Sequence, residues 1–135
     1  MHQKYRLSHK DAQEIITIIQ AHLEQAGQGA AVAVVDAHGE LISFLRTDGC
    51  PYPSVNNAIH KAFTAARERT TSKSIGEAAQ AEGFPITNFG DLRYTGWGGG
   101  IPILHEGHVV GAVGVSGLPE LVDIELATMG AGLIG

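Results

Sequence analysis

His60 and Lys61 stand side by side where Val55, Ile59, Ala62, Phe63 and Ala66 recur at helical spacing, so both lie near the apolar stripe of a helix. A lysine so placed has two outcomes. Burial lowers its pKa and makes the amine a base or nucleophile, or its stem runs along the surface and leaves the ammonium in water. Arg46 ends an apolar run, where a guanidinium either meets an anion or is simply solvated. Gly98, Gly99 and Gly100 precede a β-rich segment; three residues without Cβ let a backbone approach a ligand or a second chain, or turn a corner. They are no dinucleotide fingerprint, because a strand and not a helix follows. Just before them Phe84, Phe89, Tyr94 and Trp97 gather half of the chain's aromatic residues into an aperiodic stretch. Such rings wall a pocket, fill a subunit contact or plug a loop onto the core. Asp91 and Arg93 in that stretch either orient a polar ligand or pair with each other.

The seven histidines show no metal-ligand spacing: His38 sits in one predicted turn, and His105 and His108 flank another. No metal site is expected. His22 sits at the edge of the first helix's apolar stripe. Cys50 is the only cysteine, which excludes an intrachain disulfide and makes a reducing compartment the default. It follows Asp48-Gly49 in a turn-like run and is either a nucleophile or an inert thiol. A net charge of −5 and no basic stripe argue against nucleic acid as a partner. The Ile15–Ile19 run is interrupted by Thr17 and flanked by polar residues, neither a signal peptide nor a membrane span. The expected location is the cytoplasm.

These residues need a frame. At 135 residues, 44% of them apolar and 17% charged, the chain is expected to fold as a single domain, residues 1–135. Ser8 with Asp11 three positions on starts a helix; Ala12, Ile15, Ile16, Ile19, Leu23 and Ala26 continue it, and Gly27 ends it. Residues 31–35 and 41–45 around Asp36-Ala37-His38-Gly39 predict an antiparallel hairpin. Ser54 opens a second helix to about Arg69, and Ser74 with Glu77 caps a third that ends near Gly83. Residues 101–104 and 109–115 around the 105–108 turn form a second hairpin, and Pro119 starts a last helix towards Met129. Hairpins rather than crossovers give an antiparallel α+β fold.

Five segments in register resemble the GlcG/HbpS family, which includes the C-terminal domain of PduO-type proteins. They are Val32–Asp36 with Gly39, Arg46–Gly49, His60–Ala66, Gly98–Ile103 and Gly107–Gly117, and the resemblance covers residues 8 to 132. It implies a profilin- or PAS-like fold, a five-stranded antiparallel sheet flanked by helices, and a homo-oligomer such as an octamer. Some members bind haem, whose iron needs an axial donor, and the resemblance makes His22 the candidate here; others belong to glycolate or diol/glycerol utilisation. Asn88–Trp97 resembles the glycerol/diol sub-branch. Where many members carry Gly-Gly-Thr after Ser-Gly and a Gln-Asp pair further on, this chain reads Gly117-Leu118-Pro119-Glu120-Leu121-Val122-Asp123, so a ligand contacted there would differ.

The expected function is that of an accessory protein binding a small ligand or cofactor, with haem the candidate, because no activated nucleophile–base pair is legible. Two alternatives stay open: acid/base chemistry by Lys61 or His60 on a hydroxy- or oxo-metabolite, and an oligomer acting on a diol-pathway enzyme. The expected cleft joins Trp97 and Gly98–Gly100 to Lys61 and Arg46, with His60, Asp91, Arg93 and Tyr94 as further ligand contacts.

Overall fold

The computed structural model describes residues 1–134. Helix α1 (His9–Ala26) begins where Ser8 Oγ accepts the Asp11 amide at 3.0 Å and Asp11 Oδ2 accepts the Ser8 amide at 3.3 Å. It ends at Gly27, whose φ of 64° suits a residue without Cβ. Its face of Ala12, Ile15, Ile16, Ile19 and Leu23 is buried, as the spacing requires.

Strands β1 (Ala31–Asp36) and β2 (Leu41–Arg46) form the first hairpin; β3 (Gly100–His105) and β4 (His108–Ser116) form the second. β1 also pairs antiparallel with β4, giving the order β2-β1-β4-β3. The sheet has four strands, not five. The two hairpins supply all four strands among the described residues, and residues 86–89, in the aperiodic stretch before the glycines, form a short 3-10 helix. That stretch lacks the apolar alternation a fifth strand would need.

Alternation along β1 splits the core into two layers. Val32 and Val34 face α1 and α4 (Glu120–Ala131), joined by Ile15, Ile19, Val113, Val115 and Ala127. Ala31, Ala33 and Val35 face α2 (Pro53–Glu68), meeting Ala58, Ala62, Ala65 and Ala66. Small residues on both sides bring α2 close to the sheet. A Cβ on Gly114 of β4 would run into the Ala58 carbonyl, with the Ala62 amide nitrogen 2.8 Å away.

The buried face of α2 differs from the expected stripe. Val55 and Ile59 are half-buried, while Ala58, Lys61 and Thr64 are buried in their place. Alanines carry the contact, so the larger side chains sit at its margins. Helix α3 (Ser72–Glu82) starts earlier than expected, because Thr71 Oγ1 takes the Ser74 amide at 3.1 Å. The Ser72 hydroxyl is left free for a tertiary role.

Candidate functional site

Lys61 projects from α2 into the space where the glycine run, the end of β4 and the start of α4 meet. It is 3% exposed, and its Nζ donates to the Val115 carbonyl at 3.0 Å and to Asp123 Oδ2 at 3.3 Å. The stem does not run out to water: the side chain is buried against Asp123 and the Val115 carbonyl. Asp123, in the first turn of α4, is also 3% exposed, and its Oδ1 accepts the Leu118 amide at 3.1 Å. Burial pushes the Asp123 carboxyl up; Lys61 and the Leu118 and Gly117 amides pull it back.

The three glycines shape this pair. Gly99 has φ of 127°, and a Cβ there would lie 2.5 Å from the Val115 oxygen and 3.1 Å from Lys61 Nζ. A Cβ on Gly100 would strike the Lys61 carbonyl, and one on Gly98 would lie 2.7 Å from Glu120 Oε1. The close approach is therefore to the protein's own lysine, carbonyls and first turn of α4. Ser72 Oγ donates to the Trp97 carbonyl at 2.7 Å and accepts the Gly100 amide at 2.9 Å, pinning both ends of the run.

Above the ion pair lies a cleft of about 360 Å³ with Ser54, Asn57, Lys61, Trp97, Gly98 and Asp123 among its lining. Trp97, 61% exposed, stands beside the Lys73–Glu120 ion pair. The cleft unites Lys61, Trp97 and Gly98 as expected, but not Arg46. That guanidinium lies 5.8 Å from the Tyr52 ring and lines a separate groove with the end of α1.

His60, Asp91, Arg93 and Tyr94 form a second group along α2. The Arg93 guanidinium lies 3.9 Å from the Phe63 ring centre and donates to Asp91 at 2.9 and 3.1 Å. These bonds hold the Asp91 carboxyl down at about 2. Burial, then the neighbouring Arg93 charge, lowers the His60 pKa. Phe89 stacks on Tyr94 at 4.6 Å, and the Tyr94 hydroxyl donates to Glu68 at 2.7 Å. The aromatic loop is thus tied to α2 by Arg93 and Tyr94 against the Phe63 ring and by the Tyr94 hydroxyl on Glu68.

Burial and the Glu68 bond push Tyr94 up to about 12. An unfolded tyrosine ionises near pH ~10. Between those values the folded chain keeps a proton that the unfolded chain has lost. The stability Tyr94 contributes is full below the unfolded value and is lost as pH rises through the folded one. Tyrosinate absorbance should show one of the three tyrosines ionising only near pH 12, and Tyr94→Phe should remove that phase and flatten the alkaline loss of stability.

His22 lies exposed on α1, one position from buried Leu23, and lines none of the cavities near the sheet ends. Cys50 is free; burial pushes its thiol up, which opposes a nucleophilic role. Sequence reading missed Asp123 and Ser72. Asp123 lies in the Gly117–Asp123 segment already singled out as departing from the family pattern, which was its one signal; Ser72 had none beyond its place near a helix start.

The family model for haem degrading protein HbpS-like matches residues 7–132. Protein GlcG of Escherichia coli (strain K12) is 31% identical over 122 residues, covering 86% of this chain and 85% of that protein. A double mutant of Streptomyces reticuli HbpS superposes with a TM-score of 0.89 at 27% identity, covering all of this chain and 91% of that one. The PduOC:haem complex has the same fold, with a TM-score of 0.87 at 23% identity over 97% of this chain and 96% of that one.

Proposed function

The chain belongs to the HbpS-like family, and on that premise we propose that it is an accessory protein that binds haem rather than a self-contained catalyst. The observation that carries this reading is the commitment of Lys61. An amine that donates to Asp123 and to a backbone carbonyl in a buried pair is not poised to abstract protons or attack carbonyls. His60, the other acid/base candidate, faces Arg93 and Asp91 instead of the cleft. Support for haem comes from the family's description and from the haem held by the PduO neighbour.

Haem asks for an iron donor, apolar walls and cations for its carboxylates. The Lys61 cleft has no histidine, cysteine or methionine in its lining, and His22 lies exposed on α1 outside that cleft. The residues that fit are gathered at the hairpin-turn end of the sheet, where histidines, valines and cations share one cavity. Bound there, haem would supply a redox-active iron, while the chain's residues hold its plane and carboxylates. Protein purified from cells grown with a haem precursor should carry acid-extractable haem, measured as the pyridine haemochrome. Protein that is haem-free after such growth, and stays so on reloading, would contradict the reading.

The same proposal includes a cytoplasmic homo-oligomer in glycolate- or diol-type metabolism. Trp97, 61% exposed, lines the Lys61 cleft, and Leu121, 74% exposed, follows Glu120 of that lining; both give a second copy apolar surface to cover. Light scattering should return a multiple of the chain mass, and Trp97→Ser should shift it downward. A monomer at micromolar concentration would refute this part.

A further inference from the structure

A cavity of about 470 Å³ lies at the end of the sheet opposite the Lys61 cleft. Ala37 and His38 of the β1–β2 turn, His108 to Val110 at the start of β4, and Arg69 after α2 form its floor and sides. Residues 2–5 of the N-terminal segment cover it, bringing His2 and Lys4. That cover is anchored: the Tyr5 ring stands edge-on to His105 at 4.3 Å, its hydroxyl donates to Glu106 at 2.9 Å, and Leu7 is buried. Arg69 is fixed as well, donating from Nη1 to the Val109 carbonyl at 3.2 Å.

The composition selects a ligand. Imidazoles offer a donor to a metal, Val109, Val110 and Ala37 offer apolar contact, and Lys4 and Arg69 offer charge for carboxylates. Among the described residues no three His, Cys, Asp or Glu side chains are grouped to grip a bare metal ion. A metal already held by four macrocycle nitrogens needs only one protein donor. The cavity therefore suits a metallated, dianionic macrocycle better than a free ion. Resting on the haem reading above, the geometry points to this cavity as the haem site, with an imidazole of His38 or His108 as iron donor and Arg69 and Lys4 facing the carboxylates.

His38 and His108 are both exposed, so their replacement leaves the core untouched. Haemin is titrated into the intact chain and into the His38→Ala/His108→Ala double variant, with circular dichroism confirming that both are folded. The double variant should bind about tenfold or more weakly and lose the wild-type Soret position, and added imidazole should restore that position. Each single variant then shows which histidine is the donor. Arg69→Gln should weaken binding without moving the band, and His22→Ala should change neither. Wild-type binding with an unchanged double variant would overturn this location alone. A wild-type chain that does not bind haemin would overturn the haem reading itself.

Discussion

Replacing Lys61 with Met is expected to lower folding stability by about 3–5 kcal/mol, because it strips the partner from a buried carboxylate while keeping most of the stem's packing. Asp123 would keep its Leu118 amide but lose the ammonium at 3.3 Å. Its carboxyl, already raised by burial, would rise further. The folded variant then binds a proton at higher pH than the unfolded chain does. The penalty is full above the folded pKa and shrinks as pH falls towards the unfolded value of about 4. Denaturant titrations at about pH 5 and about pH 7.5 should show a smaller loss at the lower pH. Adding Asp123→Asn should recover part of it at neutral pH. Equal losses at both pH values, with strictly additive single variants, would show that the pair is not coupled.

The second large effect is expected at Gly114. Its missing Cβ lets the α2 backbone lie against β4, and alanine would meet the Ala58 carbonyl and come within 3.0 Å of the Ala62 Cβ. The obstacle is backbone on a helix packed across three strands, so no rotamer change relieves it. Gly114→Ala should cost about 3 kcal/mol or more, at or above the upper range for overpacking. Gly107 is the control. It has φ of 77° in the β3–β4 turn with nothing within 4 Å of an added Cβ. Alanine there should cost only roughly 1–2 kcal/mol, from conformation alone. Equal melting shifts for the two variants would mean that α2 is not held at that distance.

What was legible in the sequence was local. Ser8, Asp11 and Gly27 carry their capping chemistry in short spacing, and each hairpin shows two apolar runs around a glycine-bearing turn. The start of α3 was less legible because Thr71, Ser72 and Ser74 can each cap a helix; the choice fell to Thr71 while Ser72 was drawn towards Trp97 and Gly100. The Lys61–Asp123 pair joins positions 62 apart in sequence, and no local period announces it. The same distance problem explains Arg46, which shares the sheet with β4 but faces another groove. Helical rotation explains His22. One residue from buried Leu23 is about 100° around α1, enough to point it at solvent. The glycine run was recognised as a place of close approach, yet only the fold shows that Lys61 is what approaches Gly99.

The most direct test of a haem-binding chain is a spectrophotometric titration of the purified protein with haemin, at a protein concentration well above the dissociation constant. A protein-bound Soret band should grow and reach a sharp break near one haemin per chain, with excess haemin adding only the spectrum of the free compound. A signal that follows free haemin from the first addition, without a break, would contradict the account.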